Sequence, residues 1–221
     1  MTTRPDGDPE KFGTVAFYAA LGRAFVTMCA VIPVLFLIEL IDQADHHRLH
    51  EDGGIVPRDP ARLEGILFAP FLHVSWLHVY ANSVPLLLTG TFVLAGGAKR
   101  FAWVTIFIAV VSGLGVWFIA PPDTVTVGAS AVIFGYIGYL FMRGIVERTW
   151  WTLAVALLVG LLYGWQVSGV LPGDKAVSWQ GHLFGLIGGL IAAFLFRGRR
   201  PRPEPTTLSD DLPRTLDLPT I

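Results

Sequence analysis

Four polar side chains stand out within the apolar runs of this 221-residue chain: His78, Asn82, Ser130 and His182. Serine is a weak nucleophile until a base takes its proton, and a neutral histidine, with an unperturbed pKa of about 6.5, can take it. Attack on an amide carbonyl creates an oxyanion that needs donors aimed at it. His78 and Asn82 are four residues apart, so on a helix they share one face and both can donate. The backbone N–H of Ser130, near a helix start, supplies a third donor. The runs holding these residues carry no Asp or Glu near them, so the chemistry is that of a Ser–His dyad without an acidic third member.

The elements that must hold these groups are membrane spans. The chain is 53% hydrophobic and 15% charged, with a mean hydropathy of +0.58. A soluble domain carries about 25% charged residues. Several apolar runs reach the roughly 20 residues that cross about 30 Å of hydrocarbon. Six spans are expected, near 24–41, 72–95, 101–120, 128–147, 150–171 and 179–197, giving an all-α polytopic bundle of six transmembrane helices. Residues 1–23 are expected to form a cytoplasmic N-terminal segment, 24–197 the membrane domain, and 198–221, with five prolines, a disordered cytoplasmic tail. The first loop, 42–71, is long, charged and rich in glycine and proline, and ends in an apolar stretch, Ile66 to Leu72, suited to the interface.

Basic residues orient the bundle. Arg4, Lys11, Arg23, Lys99, Arg100, Arg143, Arg148, Arg197, Arg199, Arg200, Arg202 and Arg214 fall on one side, and Arg48, Arg58, Arg62 and Lys175 on the other. The positive-inside rule then puts both termini in the cytoplasm of a cell with this protein in its plasma membrane. At about 1.5 Å per residue, each of the four polar residues lies roughly 20–31 Å from the basic residue that ends its span. All four therefore sit in the outer part of the bilayer, where polar side chains are functional candidates by default. Gly181, Gly185 and Gly189 line one face of span six, and Ala131 with Gly135 gives span four a similar face. Small faces let helices approach closely.

The motifs carry a family resemblance. His73-Val-Ser-Trp-Leu-His78-Val-Tyr-Ala-Asn82 resembles the rhomboid signature, in which a histidine precedes an asparagine by four residues. Gly128-Ala-Ser130-Ala131, followed by Phe134-Gly135, is similar to the family's Gly-x-Ser-Gly motif, and His182-Leu-Phe-Gly185 to its final-span motif. Gly54-Ile-Val-Pro-Arg58 and Pro70-Phe-Leu-His73 also resemble rhomboids of bacterial type, so the likeness covers about residues 54–196. It implies a rhomboid-like fold and an intramembrane serine endopeptidase that cuts transmembrane protein substrates at or near the outer interface. Ser130 would be the nucleophile, His182 the general base, and His78, Asn82 and the Ser130 amide the oxyanion hole. Gly128, Phe134 and Gly185 would support them, Phe134 standing where many members carry a tyrosine packed on the catalytic histidine. Three departures concern activity and substrate choice: Ala131 replaces the glycine after the serine, Leu94 stands where many members have a glutamate, and the first outer loop lacks the family's Trp-Arg pair.

The bland readings are packing serines, structural histidines and an asparagine that ties helices together. The competing functions are a catalytically weak or inert rhomboid-like protein that binds membrane clients, and a small transporter. A transporter calls for repeats or mid-membrane carboxylates, whereas Glu39 and Glu147 lie at span ends. Beyond substrate and bilayer no partner is expected: a formal charge of −1 suits no nucleic acid. No cofactor or metal is expected either, since His46, His47 and His50 read as solvated loop, two of them adjacent with no cysteine near. Oligomeric state and the cleaved sequence are not encoded in these features.

Overall fold

The computed structural model describes residues 9, 11–148, 150–162, 171 and 177–197. Eight α-helices occur among them: α1 Val15–Ala44, α2 Arg48–Gly53, α3 Gly65–Phe68, α4 Trp76–Ala95, α5 Ala98–Ile119, α6 Ser130–Val146, α7 Trp150–Leu162 and α8 Trp179–Leu195. The described residues contain no β-strand, only one isolated bridge between Ile55 and Thr126. Helices α1, α4 and α5 are long and apolar enough to cross a membrane, while α6, α7 and α8 are apolar and shorter, at 17, 13 and 17 residues. The end of the expected fifth span, 163–170, and the tail, 198–221, lie outside the described residues.

Two helix starts differ from expectation by four residues or more. α1 begins at Val15 rather than near residue 24, so the expected boundary of the N-terminal segment falls inside a helix. Thr14 caps it, its side chain accepting the Phe17 N–H at 3.1 Å, and Arg23, exposed on the helix surface, interrupts the apolar run without interrupting the backbone. α4 begins at Trp76 rather than 72, because Ser75 caps it through the His78 N–H at 3.3 Å. A side-chain cap satisfies a donor that the first helical turn leaves open, which fixes where the helix can start.

α8 packs against α5 and α6, and α4 against α1 and α6. The α6–α8 contact is backbone on backbone. A Cβ at Gly185 would collide with the Ala131 carbonyl oxygen, and one at Gly189 with that of Gly135. The core is apolar, with Val79, Val93, Val104, Ile108, Tyr139 and Leu140 fully buried. Yet Asn82, Arg143, Gln180 and His182 are also buried, while Val26, Leu37, Leu77 and Leu161 face outward. Polar groups inside and large apolar side chains outside is the distribution a lipid solvent imposes.

The first loop is tied to the segment that enters α6. Ile55 and Thr126 exchange backbone hydrogen bonds of 3.0 Å in both directions. The Arg58 guanidinium donates to the carbonyls of Phe118 and Ala120, and the Trp117 indole donates to the Asp59 carbonyl at 3.2 Å. Leu67, Phe68 and Phe71 of the apolar stretch before α4 are exposed.

Gly189→Ala drives a methyl group into a backbone that cannot rotate away, so it should destabilise the folded protein by about 1–3 kcal/mol. Gly160→Ala, on α7 with nothing within 4 Å of the new Cβ, should be neutral or stabilising by up to about 1 kcal/mol. Thermal melts of the two variants in the same detergent check the contrast.

Candidate active site

Ser130 is the first residue of α6, and His182 lies in the first turn of α8. The close approach of these helices sets His182 Nε2 2.7 Å from Ser130 Oγ, within hydrogen-bond distance. For Nε2 to accept the hydroxyl proton, the neutral ring must carry its own hydrogen on Nδ1. Phe134, one turn along α6, stacks on the imidazole with ring centroids 4.4 Å apart and planes 18° from parallel. Both rings are buried, so the flat face of Phe134 limits how far the imidazole can swing. Ser130 itself is half-buried.

α4 supplies the other polar residues. Gly128, two residues before Ser130, has φ +120°, a region that favours glycine. A Cβ there would stand 2.6 Å from His78 Cε1, 2.8 Å from His78 Nε2 and 3.7 Å from Asn82 Nδ2. The backbone entering α6 therefore runs along the polar face of α4, and only glycine fits between. The Gly128 N–H is fixed by the Ala69 carbonyl at 2.9 Å. Asn82 is buried, and its Nδ2 has no hydrogen-bond acceptor among the described residues. The Ser130 amide belongs to the first turn of α6, where N–H groups have no acceptor within the helix. Two side-chain donors and one backbone donor thus come from the two elements flanking the serine.

Ser130, His182, Phe134, His78, Asn82 and Gly128 are all brought to one end of the bundle, and Gly185 acts through the α6–α8 contact. The Ala131 methyl group lies near Gly181 on α8, where even an added Cβ would stand at an ordinary contact distance of 3.6 Å, so this departure from the family motif is not crowded there. His73, the first residue of the histidine-to-asparagine motif, lies just before α4. It is 1% exposed, with its ring edge-on to His78 at a centroid distance of 4.9 Å. Burial, with His78 beside it, pushes the His73 pKa down to about 3, so it backs His78 as a neutral ring.

A rhomboid domain description matches residues 60–199 of the chain. An uncharacterised protein of Mycobacterium tuberculosis is 39% identical over 179 residues, covering 76% of this chain and 73% of its own. Rhomboid-type serine protease 2 of Yarrowia lipolytica is 32% identical over 141 residues, 59% of this chain and 46% of its own. Rhomboid-like protease 5 of Toxoplasma gondii is 31% identical over 137 residues, 58% of this chain and 16% of its own. The matched domain and the apolar helices are those of a multi-pass membrane protein, and the named relatives are rhomboid proteases. The chain belongs to the rhomboid family.

Gly128→Ala combines an unfavourable φ with a clash against His78. It should cost about 1–2 kcal/mol of stability and, by shifting the entry to α6, lower turnover of a transmembrane reporter about 10²-fold. A melt and a cleavage time course on the same preparation check both.

Proposed function

We propose that this protein is an intramembrane serine endopeptidase that cleaves transmembrane protein substrates at or near the outer membrane interface. The observation that carries this reading is the 2.7 Å separation of His182 Nε2 and Ser130 Oγ. Ser130 is the nucleophile and His182 the base that takes its proton and later returns it to the leaving amine. The negative oxygen formed on the scissile carbonyl accepts from His78, Asn82 Nδ2 and the Ser130 amide. Gly128 and Gly185 set the backbone approaches, and Phe134 holds the imidazole plane. The reaction consumes water and needs no cofactor.

In this reading the chain crosses the plasma membrane six times with both termini cytoplasmic. Helices α6 and α8, at 17 residues shorter than a full lipid-facing span, pack against each other and against α5, so polar groups near their ends need not face lipid. A substrate segment must unwind locally, since an intact helix holds its scissile carbonyl in hydrogen bonds. Substrates with helix-destabilising residues near the outer interface fit that requirement.

Purified protein and a transmembrane reporter test the assignment. Ser130→Ala and His182→Ala should each abolish cleavage, and the double variant should be no worse than either, because the pair acts as a unit. Asn82→Ala should lower kcat about 10²–10³-fold with little change in KM, since its donor matters as charge develops. Undiminished cleavage by Ser130→Ala would exclude the serine mechanism. An inactive wild-type protein that still binds the reporter would identify a client-binding member of the family.

A further inference from the structure

The turn between α1 and α2 gathers three side chains that no part of the peptidase uses. Asp42, in the last turn of α1, is 2% exposed at its side chain, and both His47 and His50 turn back over its carboxylate. His50 Nδ1 lies 2.6 Å and His47 Nδ1 3.6 Å from Asp42 Oδ2. One ligand atom from each of the three residues falls within 4.8 Å of the others, the one such grouping of His, Cys, Asp and Glu among the described residues. The His47 Nδ1 atom is buried without a hydrogen-bond partner, although 43% of its side chain is exposed. A buried ring nitrogen with no partner, facing a buried carboxylate, is costly unless something occupies the space between them.

The backbone is bent to achieve this. His46 and His47 have φ of 56° and 68°, two consecutive non-glycine residues in the left-handed region. Such conformations are held by surrounding structure and cluster at functional positions. Here the turn carries the His47 ring round to the Asp42 carboxylate, and the His47 N–H bonds the Asp42 carbonyl at 2.8 Å.

We propose that Asp42, His47 and His50 form a binding site for a divalent transition ion of the zinc class. Ligands at about 2.0–2.1 Å from a tetrahedral ion stand about 3.3 Å from one another. The separations in the turn bracket that value, so closing the site needs side-chain movements of about 1 Å and no change of fold. Two imidazoles with one carboxylate favour zinc and its neighbours over magnesium or calcium, which prefer all-oxygen sites. The fourth position is left to water, reached from the exposed side of His47. Entry of the ion displaces the hydrogen that His50 Nδ1 donates to Asp42, and the neutral ring then carries its hydrogen on Nε2.

The ion cross-links the end of α1 to α2. From α2 the chain passes directly through Gly54, against which Val125 and Val127 pack, to the Ile55–Thr126 bridge. The site therefore braces the loop that supports the entry to α6, and its occupancy is independent of chemistry at Ser130.

Full-length protein, purified through a tag without histidine and stripped with a chelator, is titrated with Zn²⁺ by calorimetry, and its Tm is followed with and without the ion. Wild type and His46→Ala should bind one zinc per chain at this site and gain Tm. His47→Ala and His50→Ala should bind at least about 100-fold more weakly and gain none, since losing even a residue behind a ligand costs about 10–100-fold. His47 is the most exposed of the three, so its variant tests the site without disturbing the core. No zinc binding by wild type would overturn the proposal, as would undiminished binding by either His47→Ala or His50→Ala.

Discussion

The contact between α6 and α8 is the constraint on which the rest depends. Lipid offers no hydrophobic force to press two apolar helices together, so their association rests on dispersion and on how closely the backbones can come. Gly185 and Gly189 admit the carbonyls of Ala131 and Gly135 into space that any Cβ would fill. That approach is what carries an imidazole on one helix to hydrogen-bond distance from a hydroxyl on the other. Helices held farther apart by a methyl group at each contact would leave Ser130 and His182 as two unrelated polar residues in an apolar bundle.

The surroundings convert the contact into a site. Phe134 restricts the His182 imidazole from within α6, so the ring is held by the same helix that bears Ser130. α4 meets the other side of the serine through Gly128, whose missing side chain leaves room for the His78 ring. The first loop fixes this approach from outside, through the Ile55–Thr126 bridge and the grip of Arg58 on the end of α5. Each polar group is thus held by packing around it, as is required where a misplaced donor cannot be rescued by bulk water.

Much of this was legible in the sequence because membrane folding leaves few alternatives. Polar residues in apolar runs are too costly to be casual, so His78, Asn82, Ser130 and His182 could be singled out before any geometry was available. The glycines of α8 also announced a close helix contact, though not its partner, since a small face fits any other small face. What was hidden depended on local backbone or on distant neighbours. The start of α1 was obscured by Arg23, a charge that reads as a boundary but sits on the surface of a continuing helix. The burial of His73 was hidden because nothing in its neighbourhood reveals that the chain folds its ring against His78. Asp42 was passed over beside His47 and His50, because two left-handed residues reverse the chain between them, and no spacing rule anticipates that turn.

The central claim is that Ser130 is a nucleophile made reactive by His182. The most direct measurement is treatment of the detergent-solubilised protein with a fluorophosphonate, followed by peptide mass analysis to locate the adduct. The account predicts a single adduct on Ser130, lost when His182 is replaced by alanine although the serine is still present. An unmodified Ser130 in protein that cleaves a transmembrane reporter, or equal modification with and without His182, would contradict it.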